Sequence, residues 1–242
     1  MALIDGHCHL GNLNGLMPVE PLLDEAYGRG IRLWLSSALH KSEVEWYLGH
    51  PRGDIRFSAG IHPNFEGCDL ELSDIAGLCA AKRIWAVGEI GLDRNGTDLE
   101  WQKKILQEQL ELAAQSNLPV VLHLIGYQQQ AYEILKRYPL KYLAHSYSGS
   151  YEGFELLCRL DCAFTISERI LRPDKLALLK GIVNRGEFLF ETDITRYYVN
   201  EPEPNPLLRL LNVFALTQEV LGIGGEALLA RQDATFAALM KS

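Results

Sequence analysis

Eight short, β-branched apolar runs recur along this chain: ALIDGH, IRLWLSSA, IRFSAGIH, RIWAVGEI, PVVLHL, KYLAHS, CAFTIS and EFLFETD. Segments with apolar residues at three and four spacing lie between them, as in Leu99 to Ser116, where Trp101, Ile105, Leu106, Leu110 and Ala113 form one stripe. Such alternation implies parallel strands joined by helical crossovers. Eight repeats of about 30 residues fit a closed (β/α)8 barrel, a TIM barrel of the α/β class, better than an open doubly wound sheet. An open sheet would favour a glycine-rich phosphate loop after the first strand, and GHCHLGNLNG at that place has no such pattern. The 242 residues, 48% of them hydrophobic, suit one barrel domain spanning 1–242. The Pro-rich stretch from Tyr198 to Pro206 reads as a loop, and two amphipathic helices follow it, the second starting after Gly224 and Gly225.

Composition narrows the function. The net charge of −8 argues against a broad basic face gripping nucleic acid, yet leaves room for an enzyme whose own metal ions neutralise a phosphate. The five cysteines are scattered without a CxxC pair, so neither a disulfide framework nor a structural zinc site is suggested. No apolar run approaches the roughly 18 residues that span a bilayer, and no basic leader precedes the first strand. These features predict a cytoplasmic protein without membrane association or an obligate protein partner.

The chemistry gathers where apolar strands stop. His7 and His9 are two apart, so strand alternation points both to one face, with Asp5 a step below and Cys8 on the other side. That pair alone could be a polar strand end. However, His62 closes GIH, Glu89 closes AVGE, His123 closes VVLH, His145 closes YLAH and Asp193 closes FLFETD. In a parallel barrel these ends open on one face, where barrel active sites sit. Burying Glu89 and Asp193 there without cations would be costly, whereas divalent metal neutralises them and accepts the imidazoles. His7, His9, Glu89, His123, His145 and Asp193 exceed what one tetrahedral ion with an open position needs, so two ions sharing a carboxylate, Glu89 the candidate bridge, is the economical arrangement. Such a pair lowers the pKa of a bound water, suiting hydrolysis by metal-bound hydroxide. The mixed ligands suit zinc, manganese, cobalt or nickel, with magnesium less natural.

Taken together, IDGHCHL, GIHP, VGEIGLD, LPVVLH, HSYSG and ETD resemble the TatD-type metal-dependent deoxyribonucleases of the amidohydrolase superfamily, from Asp5 to Asp193. The resemblance implies His7, His9, Glu89 and Asp193 around one metal, and Glu89, His123 and His145 around the second. His62 becomes a residue for the substrate phosphate or for support of the ligands. Asp193, with Glu89 a catalytic residue, would orient or deprotonate the attacking water, and Asp5 would hold His7 or His9 in its ligating tautomer. DNA, as single-stranded ends, is the implied substrate. The family's basic residue after its fifth-strand histidine is missing from His123-Leu124-Ile125-Gly126-Tyr127, the usual proline shortly after ETD is absent from Glu191-Thr192-Asp193-Ile194-Thr195-Arg196, and an aromatic or basic pair after GLD becomes Arg94-Asn95-Gly96. Arg94 and Arg196 are placed to replace the lost grip, with solvated loop arginines as the plainer account. Tyr127, Tyr147, Tyr197 and Tyr198 fall near the expected mouth, as stacking platforms or as loop packing. Two alternatives keep the metals: an amide, ester, lactone or aminoacyl-tRNA hydrolase, motivated by the missing basic residue, and a catalytically silent metal-binding module.

Overall fold

A computed structural model describes residues 2–65, 67–96, 98–199 and 203–241. Eight parallel strands close on themselves: β1 (Leu3–Cys8), β2 (Ile31–Ala38), β3 (Ile55–Ala59), β4 (Val87–Asp93), β5 (Val120–Ile125), β6 (Tyr142–Ala144), β7 (Cys162–Ile166) and β8 (Phe188–Phe190). The barrel is therefore the one the alternation predicts. Its seam is narrow: β8 joins β1 through the register pair Asp5 and Phe190. Helices α1 (Leu10–Asn14) to α10 (Gly225–Leu239) include one crossover behind each of β2 to β7.

Strand parity explains which residues face inward. Val120, Leu122 and Leu124 of β5, Tyr142 and Ala144 of β6, and Phe188 and Phe190 of β8 pack outward in the large cluster shared with the helices. Leu143 and Leu189 point instead into the barrel, beside Ile4, Leu35 and Ala163. Leu239 of α10, with Phe236 and Met240, packs against this inner layer. Two steps toward the C-terminal end from Leu35, Leu143, Ala163 and Leu189 stand Ser37, His145, Thr165 and Glu191, which carries the sequence from apolar floor to polar mouth.

Several strands end sooner than the apolar runs suggest. β3 stops at Ala59, β6 at Ala144 and β8 at Phe190, while β4 begins only at Val87 and continues to Asp93. The polar residues that close the runs leave the ladder and turn toward the mouth. α5 spans Leu99–Ser116 as predicted, because Asp98 caps its first amides at Glu100 and Trp101 and Asn117 ends it in the left-handed conformation. Its buried face differs from the predicted stripe. Trp101 is exposed, Ile105 is only partly buried, and Gln102 and Gln109 are buried with Leu106, Leu110 and Ala113. α9 (Arg209–Leu221) and α10 realise the two terminal helices; part of the Pro-rich stretch, 200–202, lies outside the described residues. No single helix among the described residues is long and apolar enough to cross a membrane.

Candidate metal centre

The barrel brings together the six expected ligands and His62. Glu89, fully buried on the inward face of β4, is the hub. Its Oε2 lies 3.3 Å from Nε2 of both His7 and His9. Its Oε1 lies 2.7 Å from His123 Nδ1, 2.6 Å from His145 Nε2 and 3.1 Å from His62 Nε2. One carboxylate thus faces one imidazole pair with each oxygen. Asp193 Oδ1 approaches the first pair, at 3.8 Å from Nε2 of His7 and of His9. Close backbone approach makes this possible: a Cβ on Gly91, between Glu89 and Asp93, would stand 1.8 Å from the carbonyl oxygen of His123.

Within each pair the ring nitrogens nearly touch, at 3.2 Å between His7 and His9 and 3.1 Å between His123 and His145. Two nitrogens facing each other can share only one proton, whereas a cation satisfies both. A tetrahedral ion with metal–nitrogen bonds of about 2.0–2.1 Å would separate two imidazole nitrogens by roughly 3.3 Å. His7, His9 and Glu89 form one close ligand group, His62, Glu89 and His123 another, and His7, His145 and Asp193 a third, each within 4.8 Å. The donor set fits divalent metal.

Protons take up this site otherwise. Burial alone would lower the basicity of every imidazole, but the hydrogen bond and charge of Glu89 reverse that for His9, raised to about 9. For His123 burial is offset by Asp93 and Glu89, again to about 9. His7 goes the other way, lowered to about 4 by burial and by the neighbouring His145. Burial works to raise Glu89, yet His145, His62 and His123 hold it well below its ordinary range.

Partners behind the ligands fix their orientation. His9 Nδ1 faces the Ser37 carbonyl at 3.2 Å, and His123 Nε2 faces Asp93 Oδ2 at 3.1 Å, leaving the opposite nitrogen of each ring for the site. His62 Nδ1 accepts from the Asn64 amide at 2.8 Å, so its Nε2 carries the proton and donates to Glu89. Asp93 was not singled out by sequence reasoning, although it shares the inward parity of Glu89. Glu191 was also missed: it is fully buried, neither carboxyl oxygen has a hydrogen-bond partner, and its Oε2 lies 3.9 Å from an unpartnered His145 Nδ1. Burial pushes its carboxyl up to about 7. α5 braces two mouth segments from behind, since Gln109 makes both hydrogen bonds of the Ile61 backbone and Gln102 does the same for Asp93.

Other expected residues fall differently. Asp5 does not hold an imidazole. Its carboxylate accepts from the amide and hydroxyl of Thr192 at 3.0 and 2.7 Å and from the His7 amide at 3.4 Å, and burial pushes it up to about 8. It ties the β8 end to β1 because the seam brings Thr192 within its reach. Arg196 is not among the residues lining the mouth; its guanidinium sits over the Tyr197 ring at 4.8 Å and donates to that tyrosine's hydroxyl at 2.6 Å. Arg94 does line the mouth, a cavity of about 630 Å³ that also contains Leu124, Ile125, Gly126 and Tyr198. Tyr147 is core and Tyr127 packs against it. Arg169, which no sequence signal marked, lines the mouth and pairs with Asp193 at 3.4 Å.

A closed parallel barrel with imidazoles and carboxylates converging at the strand ends defines the class of metal-dependent barrel hydrolases. Residues 4–234 match the family described as TatD related DNase, and the chain belongs to that family. It is similar to the uncharacterized metal-dependent hydrolase YjjV of Escherichia coli strain K12, 28% identical over 90% of this chain and 89% of that protein. The YjjV crystal structure superposes with a TM-score of 0.84 over 99% and 98% of the two chains, at 24% identity. A protein of Pantoea sp. strain At-9b named 3'-5' ssDNA/RNA exonuclease TatD is 27% identical over 69% of this chain and 66% of its own length. A TatD family hydrolase from Entamoeba histolytica shares the fold, with a TM-score of 0.80 at 15% identity over 99% and 98% of the chains.

Proposed function

We propose that this metal-dependent hydrolase is a phosphodiesterase acting on single-stranded nucleic acid ends, with DNA as its substrate, and that it holds two divalent ions. The observation that carries the reading is the division of Glu89 between two imidazole pairs, one oxygen to each. His7, His9 and Asp193 would hold one ion and His123 and His145 the other, with Glu89 shared. Divalent metal bound there supplies Lewis acidity, lowering the pKa of water and neutralising charge on attacking and leaving oxygens. The chain's own groups do the rest. Asp193, the more exposed of the two carboxylate ligands at 13% against 3% for Glu89, orients the attacking water and accepts its proton. The Nε2 proton of His62 is a fixed donor beside the reacting centre. Asp93 and the Ser37 carbonyl keep His123 and His9 facing inward, so that no reorganisation is needed.

The substrate follows from the family's description as DNase and from the activity named for the Pantoea relative. Leu124, Ile125 and Gly126 in the mouth favour a second reading, hydrolysis of an acyl bond by the same centre. Purified protein loaded with manganese or zinc, given single-stranded DNA and p-nitrophenyl esters in parallel, tests both. Nucleotide release from DNA that Glu89→Ala abolishes is expected; intact DNA beside ester turnover would replace the first reading by the second. Silence towards both would favour a binding module.

A further inference from the structure

We propose that Arg169 is the grip for the substrate's anionic oxygens, standing in for the basic residue absent after His123; the inference rests on the phosphodiesterase reading. With the two ions offsetting Glu89 and Asp193, a substrate anion still needs directed donors to orient its outer oxygens, and a chain of net charge −8 offers no broad basic face for that. Among the described residues lining the mouth, the arginines are Arg94 and Arg169. Arg94 belongs to the β4–β5 rim, where its stem lies against Gly126. Arg169 lies on the opposite side and reaches the centre itself.

Its Nη2 is 3.4 Å from Oδ2 of Asp193, whose other oxygen faces His7 and His9. One carboxylate width therefore separates the guanidinium from the ligand nitrogens. The pairing with Asp193 is single-ended, one nitrogen to one oxygen, and even with a further hydrogen bond to Tyr198 part of the planar donor fork is left for phosphate oxygens. The side chain remains about half exposed, at 49%, beneath the Tyr198 ring at 5.8 Å. Its backbone is anchored: it sits in a short 3-10 turn after β7 beside buried Ile170, and Arg172 Nε donates to its carbonyl at 3.2 Å. Asp193 thus holds the guanidinium over the mouth until a substrate anion offers a better partner.

The test compares wild type, Arg169→Gln and Arg169→Lys, each loaded with zinc and with its melting temperature checked. Three quantities are read: affinity for inorganic phosphate by calorimetry, metal affinity by chelator competition, and KM and kcat on single-stranded DNA. Arg169→Gln is expected to weaken phosphate binding by about tenfold or more, as loss of a charge-assisted hydrogen bond should. KM should rise in parallel, metal affinity should be retained, and Lys should restore part of the loss. Unchanged phosphate affinity in the Gln variant, or no phosphate binding by wild type, overturns the assignment. So does loss of metal in step with loss of phosphate, because Arg169 would then serve only to hold Asp193. Phosphate binding that depends on Arg169 in a protein unable to cleave DNA would uphold the grip and remove the phosphodiesterase reading instead.

Discussion

Glu89 is surrounded by imidazole nitrogens from five histidines, on four different strand ends or the loops that follow them, and it meets both pairs at 3.3 Å or less, whereas Asp193 stands 3.8 Å from His7 and His9. Replacing it by alanine leaves nitrogens that face one another without a shared acceptor. The expected result is loss of bound metal, measured by atomic emission on dialysed protein; full metal content in Glu89→Ala would show that the histidines suffice. Asp93 acts one step further out, and Asp93→Asn should weaken metal affinity by about 10–100-fold through the freed His123 ring. A chelator competition giving equal affinity for variant and wild type would remove Asp93 from that role. The seven mouth residues were legible because each ends an apolar run. Asp93 and Glu191 were readable in principle, since they lie on the inward parity of Glu89 and Asp193, but parity gives direction and not partners. Arg169 sits in an aperiodic turn whose position depends on tertiary contacts alone.

At the scale of elements, the accurate reading of α5 came from its ends, where Asp98 and Asn117 leave chemical marks. Its face was less legible. Trp101 joins the apolar stripe by spacing yet is 43% exposed, while two glutamines point inward because each satisfies a backbone amide and carbonyl that would otherwise be buried bare. Gln109→Leu, similar in size but unable to pair, should cost about 1–3 kcal/mol of stability and loosen the segment before His62. Denaturant unfolding measures the first, and a wild-type midpoint would contradict it. β4 admits less change still. Gly91→Ala drives a methyl into the His123 carbonyl, so that β4 and β5 must part, and soluble, metal-binding G91A protein would be inconsistent with the register described. Strand ends were overread at β3, β6 and β8 because the functional residues continue the apolar runs without continuing the ladder.

For the whole molecule, the site links folding, metal and pH. In metal-free protein His9 and His123, raised to about 9 from 6.5, bind protons more tightly folded than unfolded. The stability they contribute is complete below pH 6.5 and is lost as pH rises through about 9. The melting temperature of chelated protein should therefore fall across that interval. Metal competes for the same nitrogens, so its binding should release protons and tighten with pH over the same range, widening the gap between loaded and chelated melting curves. A chelated protein whose melting temperature is flat from pH 6.5 to 9 would contradict this.

The narrow seam between β1 and β8 has a consequence during synthesis. A ribosome that has released only the first 185 residues has already delivered every histidine and Glu89, but neither Asp193 nor the Thr192 that Asp5 grasps. The ligands are made early and the clasp late, so a nascent chain holds most of a hydrolytic centre with nothing to close it. The last strand thus both closes the barrel and brings in Asp193, so the centre is completed only when the fold is.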